Sequence, residues 1–206
     1  MINYNLKGIA IVITFEAIDF YLLSKRELSK MFSFVGGAVD QLVLAKQDTG
    51  LQFVIEESKL SCFQEYKDAS SIDSLINTFY KVLGLFPKLN LRAFGTNYDA
   101  VIQVGDQESA RRLQLTLSIR DPDLLKNVFK SEPVSAGFQA FFKSSDKDYD
   151  ISFAPVQTDP KQILVHYHTH RNTNALPAQE DLLNIMTEEI TFVKYSVDEL
   201  LGQANV

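Results

Sequence analysis

The sequence predicts an α+β protein: mainly antiparallel sheet, helices packed on one side, and a long C-terminal helix. Three observations carry that prediction. Segments such as Leu51–Glu57 and Leu113–Ile119 alternate apolar residues at period two, as half-buried strands do. Capped stretches with apolar residues three and four apart read as amphipathic helices, the longest running from Leu182 to Leu200. The resulting order of elements, β-α-β-β-β-α, is met twice along the chain.

The elements follow in order. Leu6–Phe15 sets Ile9, Ile11, Ile13 and Phe15 against Gly8, Ala10, Val12 and Thr14, which suits a strand covered on both faces. Ser24 with Glu27 three residues on is a capping-box pattern, so a short helix is expected over Lys25–Phe32, with Gly36–Gly37 closing that unit. Strands are expected over Val39–Lys46, Leu51–Glu57 and Lys59–Tyr66, the first two joined by the turn residues Asp48-Thr49-Gly50. Ser70 or Ser71 then caps a helix through Ile72, Leu75, Ile76, Phe79 and Leu83, which Gly84 stops.

In the second half, Leu89–Val104 reads as extended, with Gly95 a bulge or break. Leu113, Leu115, Leu117 and Ile119 alternate as a strand, and Asp121-Pro122 opens a helix through Leu124, Leu125, Val128 and Phe129. Strands are expected at Val134–Lys143, Tyr149–Val156 and Gln162–His170. Pro177, Glu180 and Asp181 open the last helix, striped by Leu182, Met186, Ile190, Val193, Val197 and Leu200 and ended by Gly202. The 206 residues are read as one domain with possible repeated halves, 1–87 and 88–206.

Every histidine of the chain falls in Ile163–His170: His166, His168 and His170, at spacing two. In a strand the three imidazoles share a face, with Ile163, Val165 and Tyr167 on the other. Burial of one face fixes the register of the last three strands. Phe138, Ala140 and Phe142 are expected beside Tyr149, Ile151 and Phe153, and these beside Ile163, Val165 and Tyr167. The loop around Pro160 then puts Asp150 across from His168 or His170.

Imidazoles next to a carboxylate suit three roles: ordinary hydrogen bonding on a sheet face, a pH-sensitive interface, or a metal site. His166, His168, His170 and Asp150 are the candidate ligands, with zinc the candidate ion. The outer histidines lie about 13 Å apart along a strand, so Asp150 completes a set better than all three rings do. Asp146-Asp148-Asp150 departs from a calcium loop, since Ile151 and Gln157 stand where glycine and glutamate are required. Cys62 reads as a small buried apolar group, and Arg92 with Gly95-Thr96-Asn97-Tyr98 as a polar interruption that is either a bulge or a ligand-contacting bend.

A net charge of −6 gives no footprint for nucleic acid, and the Arg111-Arg112 pair does not reverse it. The apolar run Gly8–Phe15 is short and meets Glu16 at once, which fits neither an export signal nor a membrane span. The cytoplasm is therefore expected. Gly-rich phosphate loops, nucleophile elbows, His-Glu-x-x-His and paired Cys-x-x-Cys motifs are all missing from the sequence.

The order helix, three strands, helix, two strands within Lys25–Val104 resembles that of secretion-chaperone-like domains, which are also small and acidic. It is a resemblance of topology, and it implies a chaperone-like role. The expected function is a non-catalytic cytoplasmic binding or adaptor protein, a homodimer or held by a protein partner. The alternative is a metal- or small-ligand-binding protein, including a metal-assisted hydrolase, that uses the histidine face.

Overall fold

A computed structural model of the chain describes residues 3–19, 23–86, 89–118, 126–128 and 135–203. The strands are β1 (Asn3–Phe15), β2 (Phe34–Gly37), β3 (Gln41–Lys46), β4 (Leu51–Glu56), β5 (Lys59–Glu65), β6 (Leu91–Gln103), β7 (Phe138–Lys143), β8 (Asp148–Pro155) and β9 (Gln162–Asn172). The helices are α1 (Lys25–Met31), α2 (Ala69–Leu83), α3 (Gln107–Ser118) and α4 (Gln179–Gln203), with residues 126–128 also helical.

The described strands join one nine-stranded antiparallel sheet, ordered β2-β3-β4-β5-β1-β6-β9-β8-β7. Its centre is the seam between β1 and β6, thirteen residues each, which run antiparallel from Asn3↔Gln103 to Phe15↔Leu91. Outward from that seam lie β5, β4, β3 and β2 on one side and β9, β8 and β7 on the other. Among the described residues each half has a long central strand, a helix, a meander folding back beside the central strand (β2–β5 in the first, β7–β9 in the second) and a second helix. One core cluster spans both.

Period-two burial explains why the sheet has one covered face. Along β1, Ile9, Ile11, Ile13 and Phe15 are buried, and along β4 so are Leu51, Phe53 and Ile55. The helices lay their apolar stripes on that side: Leu28 of α1, Ile72, Leu75, Ile76, Phe79 and Val82 of α2, Ala110 and Leu113 of α3, and Leu182, Met186, Val193 and Val197 of α4. Each fully buried large aliphatic or aromatic side chain contributes about 1.5–3 kcal/mol, so the covered face is the main source of stability. Among the described residues no helix is long and apolar enough to cross a membrane.

Several elements depart from the sequence reading. Residues 113–118 belong to α3 and form no strand. Leucines at 113, 115 and 117 mimic alternation, but Ala110, Leu113, Gln114 and Leu117 also lie at helical spacing, and the start signal decides. Asp106 accepts hydrogen bonds from the Ser109 N–H at 2.8 Å and the Ser109 hydroxyl at 2.7 Å, satisfying the first turn. Gly36–Gly37 does not end a unit but belongs to the edge strand β2. Gly95 is no break: β6 keeps one register with β9 from Phe94↔Arg171 to Asn97↔His168.

The cap of α2 is Asp68, in a reciprocal arrangement with Ser71, and neither Ser70 nor Ser71 is the cap itself. Ser24 does cap α1, while Glu27 turns to Lys30 at 2.7 Å and makes no reciprocal bond. The helix expected from Asp121-Pro122 lies outside the described residues, apart from 126–128.

Candidate functional site

The register of the last three strands is the expected one: Phe138↔Phe153, Ala140↔Ile151 and Phe142↔Tyr149, then Ile151↔Tyr167 and Phe153↔Val165. Val165 and Tyr167 are buried under the helices, which turns His166, His168 and His170 to the uncovered face. Asp150 lies across from His168, Asp148 from His170 and Ser152 from His166.

On that face each imidazole already has a partner. His166 Nδ1 lies 2.7 Å from Asp99 Oδ1 of β6, with both side chains 39% exposed. His168 Nδ1 bonds Asn97 Oδ1, also from β6. His170 Nε2 lies 3.1 Å from Asn172 Oδ1 on its own strand. Asp150 accepts from Gln139 Nε2 at 3.1 Å. Among the described residues, no three His, Cys, Asp or Glu side chains gather to hold a metal ion. The histidines do share a face, as their spacing requires, but His166 and His168 pair sideways to β6 and His170 pairs along its own strand.

Their environments differ in direction. The hydrogen bond that Asp99 accepts holds the His166 pKa above its ordinary value, with the Asp99 and Asp150 charges acting the same way. Burial holds His168 below its ordinary value. Two neighbouring imidazoles thus favour opposite protonation states.

The other side of the same strands holds a cluster centred on Glu189 of α4, which is only 2% exposed. Glu189 Oε1 meets Lys147 Nζ at 2.7 Å and Arg171 NH2 at 2.5 Å. Oε2 accepts from the Thr96 hydroxyl at 2.5 Å and the Tyr98 hydroxyl at 2.9 Å. Thr169 lies 2.7 Å from Thr96, oxygen to oxygen, and its hydroxyl accepts from Arg171 at 3.0 Å and from the Thr96 N–H at 3.1 Å. The Arg171 guanidinium lies 5.1 Å from the Phe94 ring centre.

Burial alone would raise the Glu189 pKa. Hydrogen bonds from Lys147, Thr96 and Arg171 outweigh it and hold the carboxyl below its ordinary value, so it is ionised at neutral pH. The cluster is a satisfied polar core that ties α4 to β6 and β9. It backs a cleft of about 300 Å³ lined by Asp146, Lys147, Arg171, Ile185, Glu188, Glu189 and Phe192. Both cations there are spent on Glu189, and no side chain in the cleft is arranged as a nucleophile beside a base.

The polar interruption Gly95-Thr96-Asn97-Tyr98 serves both faces. Thr96 and Tyr98 point to Glu189, and Asn97 points to His168. Gly95 lets the strands close, since a Cβ there would stand 2.1 Å from the Thr169 carbonyl oxygen. Glu189 was missed in the sequence reading, although Leu182, Met186, Val193 and Val197 define a helical stripe that passes through position 189. Cys62 is buried, with its thiol against the Ile11 carbonyl, and burial pushes its pKa up. A further cavity of about 370 Å³, lined by Leu23, Lys25 and the segment Val35–Val39, has no catalytic grouping either.

Compared with known proteins, the chain matches no protein family and no curated relative.

Proposed function

We propose that the protein is a non-catalytic binding protein, adaptor or chaperone-like, which presents the uncovered face of its sheet to a basic, amphipathic segment of another protein. The observation that carries this reading is the one-sided helix layer. A solvated sheet face alternates polar residues outward. This one instead exposes Phe34 at 49%, Phe63 at 39%, Phe141 at 75% and Leu164 at 39%. Leu182, Met186, Val193 and Val197 of α4 are buried in the core while Phe192 and Tyr195 stay exposed. The face opposite the helices is favoured because it joins exposed apolar residues to a row of carboxylates.

Charge selects the kind of partner. Glu56, Glu65, Asp99, Asp148 and Asp150 stand on the uncovered face against Lys59 and Lys143. A second copy laid on it would set carboxylates against carboxylates, which costs several kcal/mol per close like-charge pair. A segment carrying lysine or arginine along one edge and apolar residues along the other complements both parts.

The test is fluorescence anisotropy with a labelled amphipathic Lys/Leu peptide and a Glu/Leu peptide of equal length. The expected result is saturable binding of the basic peptide, weakened by salt and by Asp99→Asn with Asp150→Asn. Equal binding of both peptides, or binding of neither, contradicts the reading.

A further inference from the structure

The sheet ends in two unlike edges. β2 is short, Phe34–Gly37, with two glycines, and turns at once through the Ala38 N–H to Gln41 carbonyl bond. It offers little ladder to a newcomer. β7 runs Phe138–Lys143 in unbroken register with β8, from Phe138↔Phe153 to Lys143↔Asp148, without a bulge or a proline. Among the described residues its only neighbour in the sheet is β8. Phe141 and Phe142 are 75% and 43% exposed. Natural edges are blunted by proline, bulges, shortness or charge, and β7 carries only Lys143 at its end.

We infer that β7 is a self-pairing edge, at which two copies of the chain join antiparallel about a two-fold axis and continue the sheet from one molecule into the next. The side chains favour a second copy. With the axis at Phe141, the two Phe141 rings meet as a cross-strand aromatic pair, and each Lys143 faces Gln139 of the other copy, not a second lysine. Gln139 is bonded to Asp150, so each incoming Lys143 reaches a corner that already holds a carboxylate. On the other face Ala140 opposes Phe142, a small residue beside a large one.

The seam is one strand wide and well below the roughly 800 Å² per partner of a standard interface, so the dimer is weak and concentration-dependent. It uses the edge of the sheet and, apart from Phe141 and the Gln139–Asp150 corner, leaves the uncovered face free for the partner proposed above. Self-association is read without any peptide, so the two claims fail separately.

Sedimentation equilibrium of the full chain over a wide concentration range tests the inference. The expected result is a monomer–dimer equilibrium whose dissociation constant rises about tenfold in Phe141→Lys, which removes an exposed aromatic from the seam. Ala140→Pro, checked for folding by circular dichroism, should shift it the same way, and Phe34→Lys on the opposite edge should leave it unchanged. A monomer at every concentration, or a dimer that ignores both β7 variants, overturns the inference.

Discussion

The two halves of the molecule follow a similar plan around the β1–β6 seam, with a four-stranded meander (β2–β5) in the first and a three-stranded one (β7–β9) in the second, and they fill that plan with different chemistry. In the first half, α2 lies on the sheet with Ile72, Leu75, Ile76, Phe79 and Val82 buried, over strands that offer Ile9, Ile11, Ile13 and Cys62. In the second half, α4 buries Leu182, Met186, Val193 and Val197 but sets Glu189 among them, over Thr96, Tyr98 and Thr169. The uncovered faces differ as well. Ala10, Val12 and Phe63 occupy the first half; Asn97, Asp99 and the three histidines occupy the second.

The difference separates what topology needs from what it tolerates. Apolar contact is non-directional and is satisfied by any well-filled interface. A buried carboxylate is tolerated only where every acceptor site is matched, which fixes the angle and height of α4 on the sheet.

The largest expected effect breaks that match. Glu189→Ala leaves Arg171 and Lys147 without their shared carboxylate, and urea unfolding should show a loss of about 3–5 kcal/mol. Leu75→Ala at the equivalent interface of the first half should cost about 2–5 kcal/mol through lost packing alone. The two are told apart by pH. Glu189 has a folded-state pKa below its unfolded value, so its contribution is full above the unfolded pKa and is lost as pH falls through the folded one. Wild type and Leu75→Ala should share that acid-side loss, and Glu189→Ala should lack it. A cost below about 1 kcal/mol for Glu189→Ala would show that the cluster does not hold the helix.

A smaller effect is expected at the central glycines. Gly95→Ala drives a Cβ against the Thr169 backbone, which cannot give without parting β6 from β9. Thermal unfolding should show a loss of about 1–3 kcal/mol. Gly8→Ala on β1 meets the Phe63 ring at 2.4 Å, the far end of a side chain 39% exposed, which can swing aside. Its cost should be the lesser of the two, and the reverse order would mean that Phe63 is held more firmly than its exposure indicates.

The smallest effect is a pH response confined to the second half, between about pH 5 and 8. His166, with its folded pKa raised, stabilises the fold at low pH, and that contribution is lost as pH rises through the folded value. His168, with its folded pKa lowered, acts oppositely: its charging costs stability as pH falls. The two act in opposite directions, and Asp99→Asn removes the first, which should make β9 exchange its amide hydrogens faster at the acid end. An equal change in β1 and β5 would contradict the assignment.

Much of the fold was legible in the sequence because burial is one-sided. Period-two patterns gave β4, β5, β8 and β9 to within a residue or two, and matching apolar sets put Asp150 across from His168 or His170, of which the folded register selects His168. What escaped had a competing local signal. Leu113, Leu115 and Leu117 satisfy both periods, and only Asp106 with Ser109 decides for α3. The glycines of β2 read as a stop, although an edge strand needs few side chains. Glu189 could be seen as a charge in an apolar stripe, but its partners, at positions 96, 98, 147 and 171, are gathered only by the folded sheet. The histidines showed their common face, whereas their partners Asp99 and Asn97 depend on the β6–β9 register, which no single strand displays.

Histidine modification by diethyl pyrocarbonate, read by mass spectrometry with and without saturating Lys/Leu peptide, decides which face of the sheet the peptide covers. If the uncovered face is the binding surface, the peptide protects His166, His168 and His170 together while the labelling of Tyr195, 62% exposed on α4, is unchanged. Unaltered histidine labelling with the peptide bound, or protection of Tyr195 alone, would place the binding surface on the helix side and contradict the account.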